Sequence, residues 1–233
     1  MLPEHINRLV WASDPQLSPD GSQIAYVVTR VDEDRNRYRS RVWLVPSDGA
    51  APPRPISAGE DSDASPRWSA DGRLLLFTST RRTDQSGKTK SALYAMVTDG
   101  PGEASLLAEH DEAISGVAIS PDSRKVAYAC RVRGEHYAND DIDRRPPRKI
   151  DRRMHRLNGV GFTLDRPTHV HVMALDGGGE PVDVSPGDAE FGSPSWFPDS
   201  DRIAVARTNT AERILAGDIA VIDLDTLIVE IVT

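Results

Sequence analysis

The chain has 233 residues, enough for one all-β domain or two smaller ones and enough to bury a sizeable core. Hydrophobic residues make up 38% and aromatics 6%, with 17 Gly and 17 Pro, a balance that favours many short strands over long helices. The net charge of −8 argues against general affinity for nucleic acid or an anionic membrane, and the single cysteine excludes an internal disulfide framework.

The start, Met1-Leu2-Pro3-Glu4-His5, has no basic and no apolar leader region, and nothing approaches the ~18 apolar residues of a membrane span. A cytoplasmic location is therefore expected. Asp14-Pro15-Gln16-Leu17-Ser18-Pro19-Asp20-Gly21 reads as a strand entering a tight turn, and Ile24 to Val27 continue as a second strand. Asp32-Glu33-Asp34-Arg35-Asn36 opens like a calcium loop, but Arg37 stands where that loop needs Gly and Trp43 where it needs Glu, so no calcium is expected there. A third strand at 41–45, a turn at Asp48-Gly49 and a short fourth strand at Pro55-Ile56-Ser57 complete this unit. Asp61 and Asp63 then read as solvated residues of a polar connection.

The clearest copy of the pattern runs from Ser65 to Thr78. Pro66 and Trp68 lead in, Asp71-Gly72 provides a residue that tolerates positive φ at the reversal, and Leu74 to Phe77 form an apolar strand. Strands at 92–96 and 105–107 follow, around a turn at Asp99-Gly100. The third copy holds Ile119-Ser120-Pro121-Asp122 and then Lys125-Val126-Ala127-Tyr128-Ala129. Cys130 extends that strand and reads as a small buried side chain rather than a reactive thiol.

An insertion of about residues 131–166 follows. From Arg144 to Arg156 it carries seven basic residues against one acid, Asp151, and Pro146-Pro147 interrupts regular structure. The candidate contact residues are Arg144, Arg145, Arg148, Arg152 and Arg153, which suit a carboxylate, a phosphate or an acidic partner. The plainer reading is a solvated or interface-paired loop. His169 and His171 share a strand face, but His171 occupies the repeat position of Trp43 and Tyr94 and reads as a packed ring. His169 aligns with Arg41 and Ala92 at the strand's edge, so no metal or other cofactor is expected. Gly177-Gly178-Gly179 opens no helix and is a hairpin turn rather than a phosphate cradle. Strands at 169–173 and 182–184 close the third copy, and Ser193-Pro194-Ser195-Trp196-Phe197-Pro198-Asp199, strands at 218–222 and 230–232 and a turn at Asp225-Thr226 make the fourth.

The turn aspartates Asp20, Asp71, Asp122 and Asp199 lie 51, 51 and 77 residues apart, the last interval holding the insertion. Four and six positions after each stand Ile24 and Tyr26, Leu75 and Phe77, Val126 and Tyr128, Ile203 and Val205, and the interleaved residues are apolar or small. Sheets dry on both faces must be sandwiched between neighbours. Four antiparallel strands per unit in one register make an all-β fold of β-propeller blades, with repeats at about 6–57, 57–108, 108–185 and 185–233. A β-sandwich, the main competitor, gives no reason for fixed register.

The repeat S-P-D-G-x-x-hydrophobic-Ala-aromatic resembles the TolB-type propeller repeat. The arrangement, including 13–21, 41–46 and the stretch from Lys149-Ile150-Asp151 through Asn158-Gly159 into Thr168-His169-Val170, is similar to the N-terminal propeller of prolyl oligopeptidase-clan serine peptidases, acylaminoacyl-peptidase branch. That resemblance covers essentially the whole chain. It implies four blades of a ring of about seven, over a C-terminal α/β-hydrolase domain bearing Ser, Asp and His that this chain does not contain. The propeller would restrict access to short or N-acylated peptides. No G-x-S-x-G turn occurs here, so no catalytic residue is carried over. The implied partners are the hydrolase domain, peptide substrates and further copies of the chain, with no nucleic acid and no membrane. A stand-alone TolB-like binding module without catalysis is the other reading.

Overall fold

The computed structural model describes residues 3–58, 61–98, 103–139, 141–151, 155–208 and 217–232. A 3₁₀ turn at Pro3–Arg8 precedes the first sheet, β1 (Val10–Leu17), β2 (Gln23–Asp32), β3 (Arg37–Pro46) and β4 (Arg54–Pro55). The second holds β5 (Asp63–Trp68), β6 (Leu74–Thr83), β7 (Thr89–Val97) and β8 (Ser105–His110). The third begins with β9 (Ser115–Ile119) and β10 (Lys125–Arg131). The insertion contributes a short hairpin, β11 (Arg156–Leu157) and β12 (Gly161–Phe162), before β13 (Thr168–Ala174) and β14 (Val182–Asp183) complete that sheet. The fourth is β15 (Glu190–Trp196), β16 (Arg202–Thr208), β17 (Gly217–Asp223) and β18 (Val229–Ile231). Each of the four sheets is four-stranded and antiparallel, its strands adjacent in chain order, which is the propeller blade expected from the repeat. The expected fourth strands are displaced by a residue or so and shrink to two residues in blades 1 and 3.

The turns follow from local hydrogen bonding. Ser18, Ser69 and Ser120 each donate Oγ–H to the aspartate two positions on, Asp20, Asp71 and Asp122, at 2.6 Å. The oxygens of Ser18 and Ser69 accept the N–H of Gln23 and Leu74 at 2.9 Å, locking the second strand's entry. Bonds from Ser18 and Ser22 hold the Asp20 carboxyl down at about 2. The next residue is left-handed, with φ of 74° at Gly21 and Gly72, 59° at Ser123 and 62° at Ser200. A Cβ on Gly72 would make only an ordinary contact with Pro19, at 3.8 Å, so Gly72→Ala is expected to cost the conformational term of about 1 kcal/mol, read from urea unfolding.

A second irregularity recurs. Asp14, Ser65, Gly116 and Ser193, each six residues before the turn aspartate, have φ of 49°, 53°, 59° and 50°. In blades 1, 2 and 4 the β-pairing shifts at this bulge. Beyond it, Trp68 Nε1–H donates to Gln16 O at 3.1 Å, and Trp196 Nε1–H to Ala118 O at 2.9 Å, tying first strands of successive blades. Trp196→Phe keeps an aromatic side chain, though a smaller one, and removes the bond. It is expected to lower stability by about 1 kcal/mol in thermal unfolding.

The chain divides into two compact units, one holding blades 1 and 2 and the other the strands of blades 3 and 4. In the first, Leu75, Phe77, Ala92 and Tyr94 of blade 2 pack on Ala25, Val42 and Leu44 of blade 1. In the second, Ile203, Val205, Ala220 and Ile222 of blade 4 pack on Ala127, Val170 and Val172 of blade 3. Both seams obey one rule: the face four and six positions past the turn meets the smaller, interleaved face of the blade before it. Central strands of blades 2 and 3 are buried at consecutive positions, as expected. Blades 1 and 4 bury only alternate residues, so they are not dry on both faces. Asp63 also differs from expectation: it opens β5 in register with Ser79 and is buried, Oδ1 3.9 Å from Arg81 Nη2, while its carbonyl accepts Ser40 Oγ–H at 2.9 Å.

Candidate functional site

The insertion leaves blade 3 between β10 and β13. Two backbone bonds, Val132 N–H to Pro167 O and Gly134 N–H to Asp165 O, each 2.9 Å, prolong the ladder outward and bring its ends together. Arg131 braces this neck, with Nη1–H donating to Arg166 O at 2.6 Å and lying 3.5 Å from Glu190 Oε1. Short 3₁₀ turns at Glu135–Tyr137 and Ile142–Arg144 and the β11–β12 hairpin follow.

Two rings organise the arginines. Around Tyr137 stand the guanidiniums of Arg133, Arg145, Arg148 and Arg166, 5.3–5.5 Å from the ring centroid. Around Phe162 stand Arg148 at 4.2 Å and Arg156 at 5.5 Å. Arg148 joins the two: its Nε–H donates to Asp165 Oδ2 at 2.7 Å and its Nη2–H to Tyr137 Oη at 2.9 Å. Arg145 Nε–H donates to Asn139 O at 2.8 Å, and Arg166 ties Phe162 O and Val160 O.

Arg145 and Arg148, of the five arginines singled out from the sequence, thus come together on Tyr137. Arg144 points away into solvent and pairs with Asp141 at 3.2 Å. Arg152 and Arg153 lie outside the described residues, as do Asp140 and the turn at Asp99-Gly100. The structure adds Arg133, Arg166, Tyr137, Phe162 and Asp165, which the sequence reading passed over. Aromatics interleaved with arginine within one insertion were the available signal. The result is a braced knob in which arginines gather on two aromatic rings, with Arg148 paired to Asp165; guanidiniums so grouped suit carboxylates or an acidic protein surface. Arg148→Ala removes the link between the rings. Chymotryptic cleavage after Tyr137 or Phe162 is expected to rise about tenfold.

The histidines separate. His171 stacks on Tyr128 with centroids 5.6 Å apart and planes at 12°, matching Phe77 and Tyr94 at 5.6 Å and 14° in blade 2. His169 is not at an edge. It is buried, with Nδ1 2.6 Å from Asp183 Oδ2 and Nε2 2.9 Å from Gly187 O. Among the described residues no three His, Cys, Asp or Glu side chains gather as a metal site, and no helix is long and apolar enough to cross a membrane.

Stacked four-stranded blades in fixed register define this as a β-propeller portion. No protein-family model matches the chain. A curated relative, the "Uncharacterized peptidase YuxL" of Bacillus subtilis (strain 168), is 29% identical over 203 residues, covering 84% of this chain and 29% of its own length. A solved acylaminoacyl peptidase in complex with a chloromethyl ketone superposes with a TM-score of 0.72 at 18% identity, over 97% of this chain and 33% of that one. A TolB-type structure from Agrobacterium tumefaciens gives 0.52 at 15% identity, over 95% of this chain and 80% of that one. The chain spans less than a third of the length of the curated relatives it matches, 29% and 20%. These matches agree with the resemblance drawn from the repeat, to the propeller portion of a prolyl oligopeptidase-clan peptidase.

Proposed function

We propose that this chain is the propeller portion of a cytoplasmic serine peptidase of acylaminoacyl-peptidase type, gating access of short or N-acylated peptides to a Ser-Asp-His hydrolase domain outside this sequence. The observation that carries the reading is a peptidase relative aligned across 84% of these residues. In this role the blades exclude bulky chains by size, and the arginine knob meets the hydrolase domain or the carboxylate of an entering peptide.

The test starts with the intact protein from which the chain comes. A mass near 70 kDa is expected, about seven ~50-residue blades plus a hydrolase domain. That protein should cleave an N-acetyl-alanyl chromogenic ester or anilide and spare long unstructured substrates, while residues 1–233 alone should be inactive. An intact product of 25.5 kDa would overturn the reading in favour of a TolB-like binding module, which the 80% coverage of the TolB-type structure supports.

A further inference from the structure

Asp14, Gln16 and Arg67 stand together on β1 and β5, the first strands of blades 1 and 2. Blades of a propeller surround a central channel. These two strands also touch through the Trp68 indole, so the group lies at the inner ends of its blades. Arg67 Nη1–H donates to Asp14 Oδ1 at 3.0 Å, to Asp14 Oδ2 at 2.9 Å and to Pro66 O at 2.6 Å. Gln16 Nε2–H donates to the same Asp14 Oδ1 at 2.9 Å. One nitrogen thus takes the whole carboxylate, where a paired fork would use two. Among the described residues Arg67 Nε–H and Nη2–H reach no acceptor and Gln16 Oε1 no donor, and none of these three atoms is shut off from solvent. The Arg67 side chain is 31% exposed.

The seam itself does not need this group. Between blades 3 and 4 the matching positions hold Gly116, Ala118 and Ser195, while the indole bond survives there as Trp196 to Ala118 O. The repeat therefore keeps the indole bond in both seams and places the ion pair in one. Blades 1 and 2 are adjacent in this chain, so no further blade comes between them to cover the open edge.

We propose that Arg67 and Gln16, positioned by Asp14, form a subsite for the backbone of an uncharged peptide in the propeller channel. Arg67 Nε–H and Nη2–H donate to a peptide or acyl carbonyl, and Gln16 Oε1 accepts a peptide N–H. Charge decides between a neutral ligand and an anion. Asp14 already balances the guanidinium, so an incoming carboxylate meets repulsion from Asp14, whereas a carbonyl takes charge-assisted bonds without it. An N-acylated peptide offers such carbonyls and no ammonium group. That this peptide is a substrate rests on the peptidase reading; that the group binds a peptide amide does not.

Saturation-transfer NMR on the 233-residue chain tests it, with N-acetyl-Ala-Ala amide and the N-acetyl-Ala-Ala free acid as probes. The amide is expected to bind at millimolar concentration and more tightly than the acid. Arg67→Met keeps the length of the side chain without its donors and should weaken amide binding about tenfold, with unchanged circular dichroism. Asp14→Asn breaks the same ion pair at the same seam but keeps the guanidinium. It should hold the amide within about threefold of wild type and bind the acid better than wild type does, because the repelling charge is gone. An amide that does not bind, or an acid that binds more tightly than the amide to the wild-type chain, overturns the proposal. So does an equal loss in Arg67→Met and Asp14→Asn, which would make the pair a brace for the seam alone. The hydrolase domain takes no part in this experiment. An intact protein that cleaves no acyl-peptide therefore removes the peptidase reading and leaves the subsite result standing.

Discussion

Tyr128→Ala is expected to destabilise the unit containing blades 3 and 4 by roughly 3–5 kcal/mol, seen as a large fall in its urea midpoint. Tyr128 is wholly buried in the second strand of blade 3 and stacks on His171 across the β10–β13 pair. Truncation removes a full ring and leaves a cavity that a close-packed, hydrogen-bonded sheet cannot collapse to fill. The repeat supplies the control. Phe77 takes the same position in blade 2 and stacks on Tyr94 in nearly the same geometry, so Tyr128→Phe is expected to cost less than about 1.5 kcal/mol. Burial, with the charges of Cys130 and Glu180 adding to it, pushes the Tyr128 hydroxyl well above the ordinary tyrosine range. In an alkaline titration followed at the phenolate absorbance, Tyr128 should ionise only as the blade unfolds. A loss of about 1 kcal/mol or less in Tyr128→Ala would refute the argument.

The blades were legible because their signal is periodic. Turn aspartates 51, 51 and 77 residues apart, with apolar residues at fixed offsets after each, need no knowledge of partners. The bulge six residues before that aspartate was not seen, because only Gly116 of the four residues there is a glycine. Asp14, Ser65 and Ser193 adopt positive φ without announcing it. The central strands of blades 1 and 4 bury only alternate residues, because periodicity reports what a face can bury and not whether a neighbour arrives. The knob was half legible. Arg145 and Arg148 stood out in a dense basic run, but Arg133 and Arg166 meet them only because the neck bonds at Val132 and Gly134 fold the insertion back. Asp63 and His169 were placed in solvent or at an edge for the same reason: Arg81 and Asp183 lie 18 and 14 residues along the chain, beyond any local pattern.

Stability of the link between blades 3 and 4 is expected to depend on pH through His169. Its two ring nitrogens both face acceptors, Asp183 Oδ2 at 2.6 Å and Gly187 O at 2.9 Å, and only an imidazolium can donate to both. Burial alone would lower the pKa of His169. The bond and charge of Asp183, helped by the Gly187 carbonyl and Asp188, outweigh it and leave the value raised. Burial likewise works against the Asp183 carboxylate, but the bonds from His169 and the Ser185 N–H hold its pKa below the ordinary value. His171, close by, is kept neutral by burial and adds no competing charge near neutral pH. A raised histidine stabilises fully below its unfolded value of about 6.5 and loses that contribution as pH climbs through the folded value. A lowered aspartate stabilises above about 3.9 and loses its contribution as pH falls through its folded value. The pair therefore contributes most between about pH 4 and 6.5. His169→Gln, which can donate to only one of these acceptors at a time in that geometry, is expected to cost about 2 kcal/mol at pH 6 and progressively less toward pH 9. Urea midpoints of wild type and variant measured from pH 5 to 9 should converge at the alkaline end. A constant gap would mean that the ring is neutral throughout and that the short contact to Asp183 does not depend on its charge.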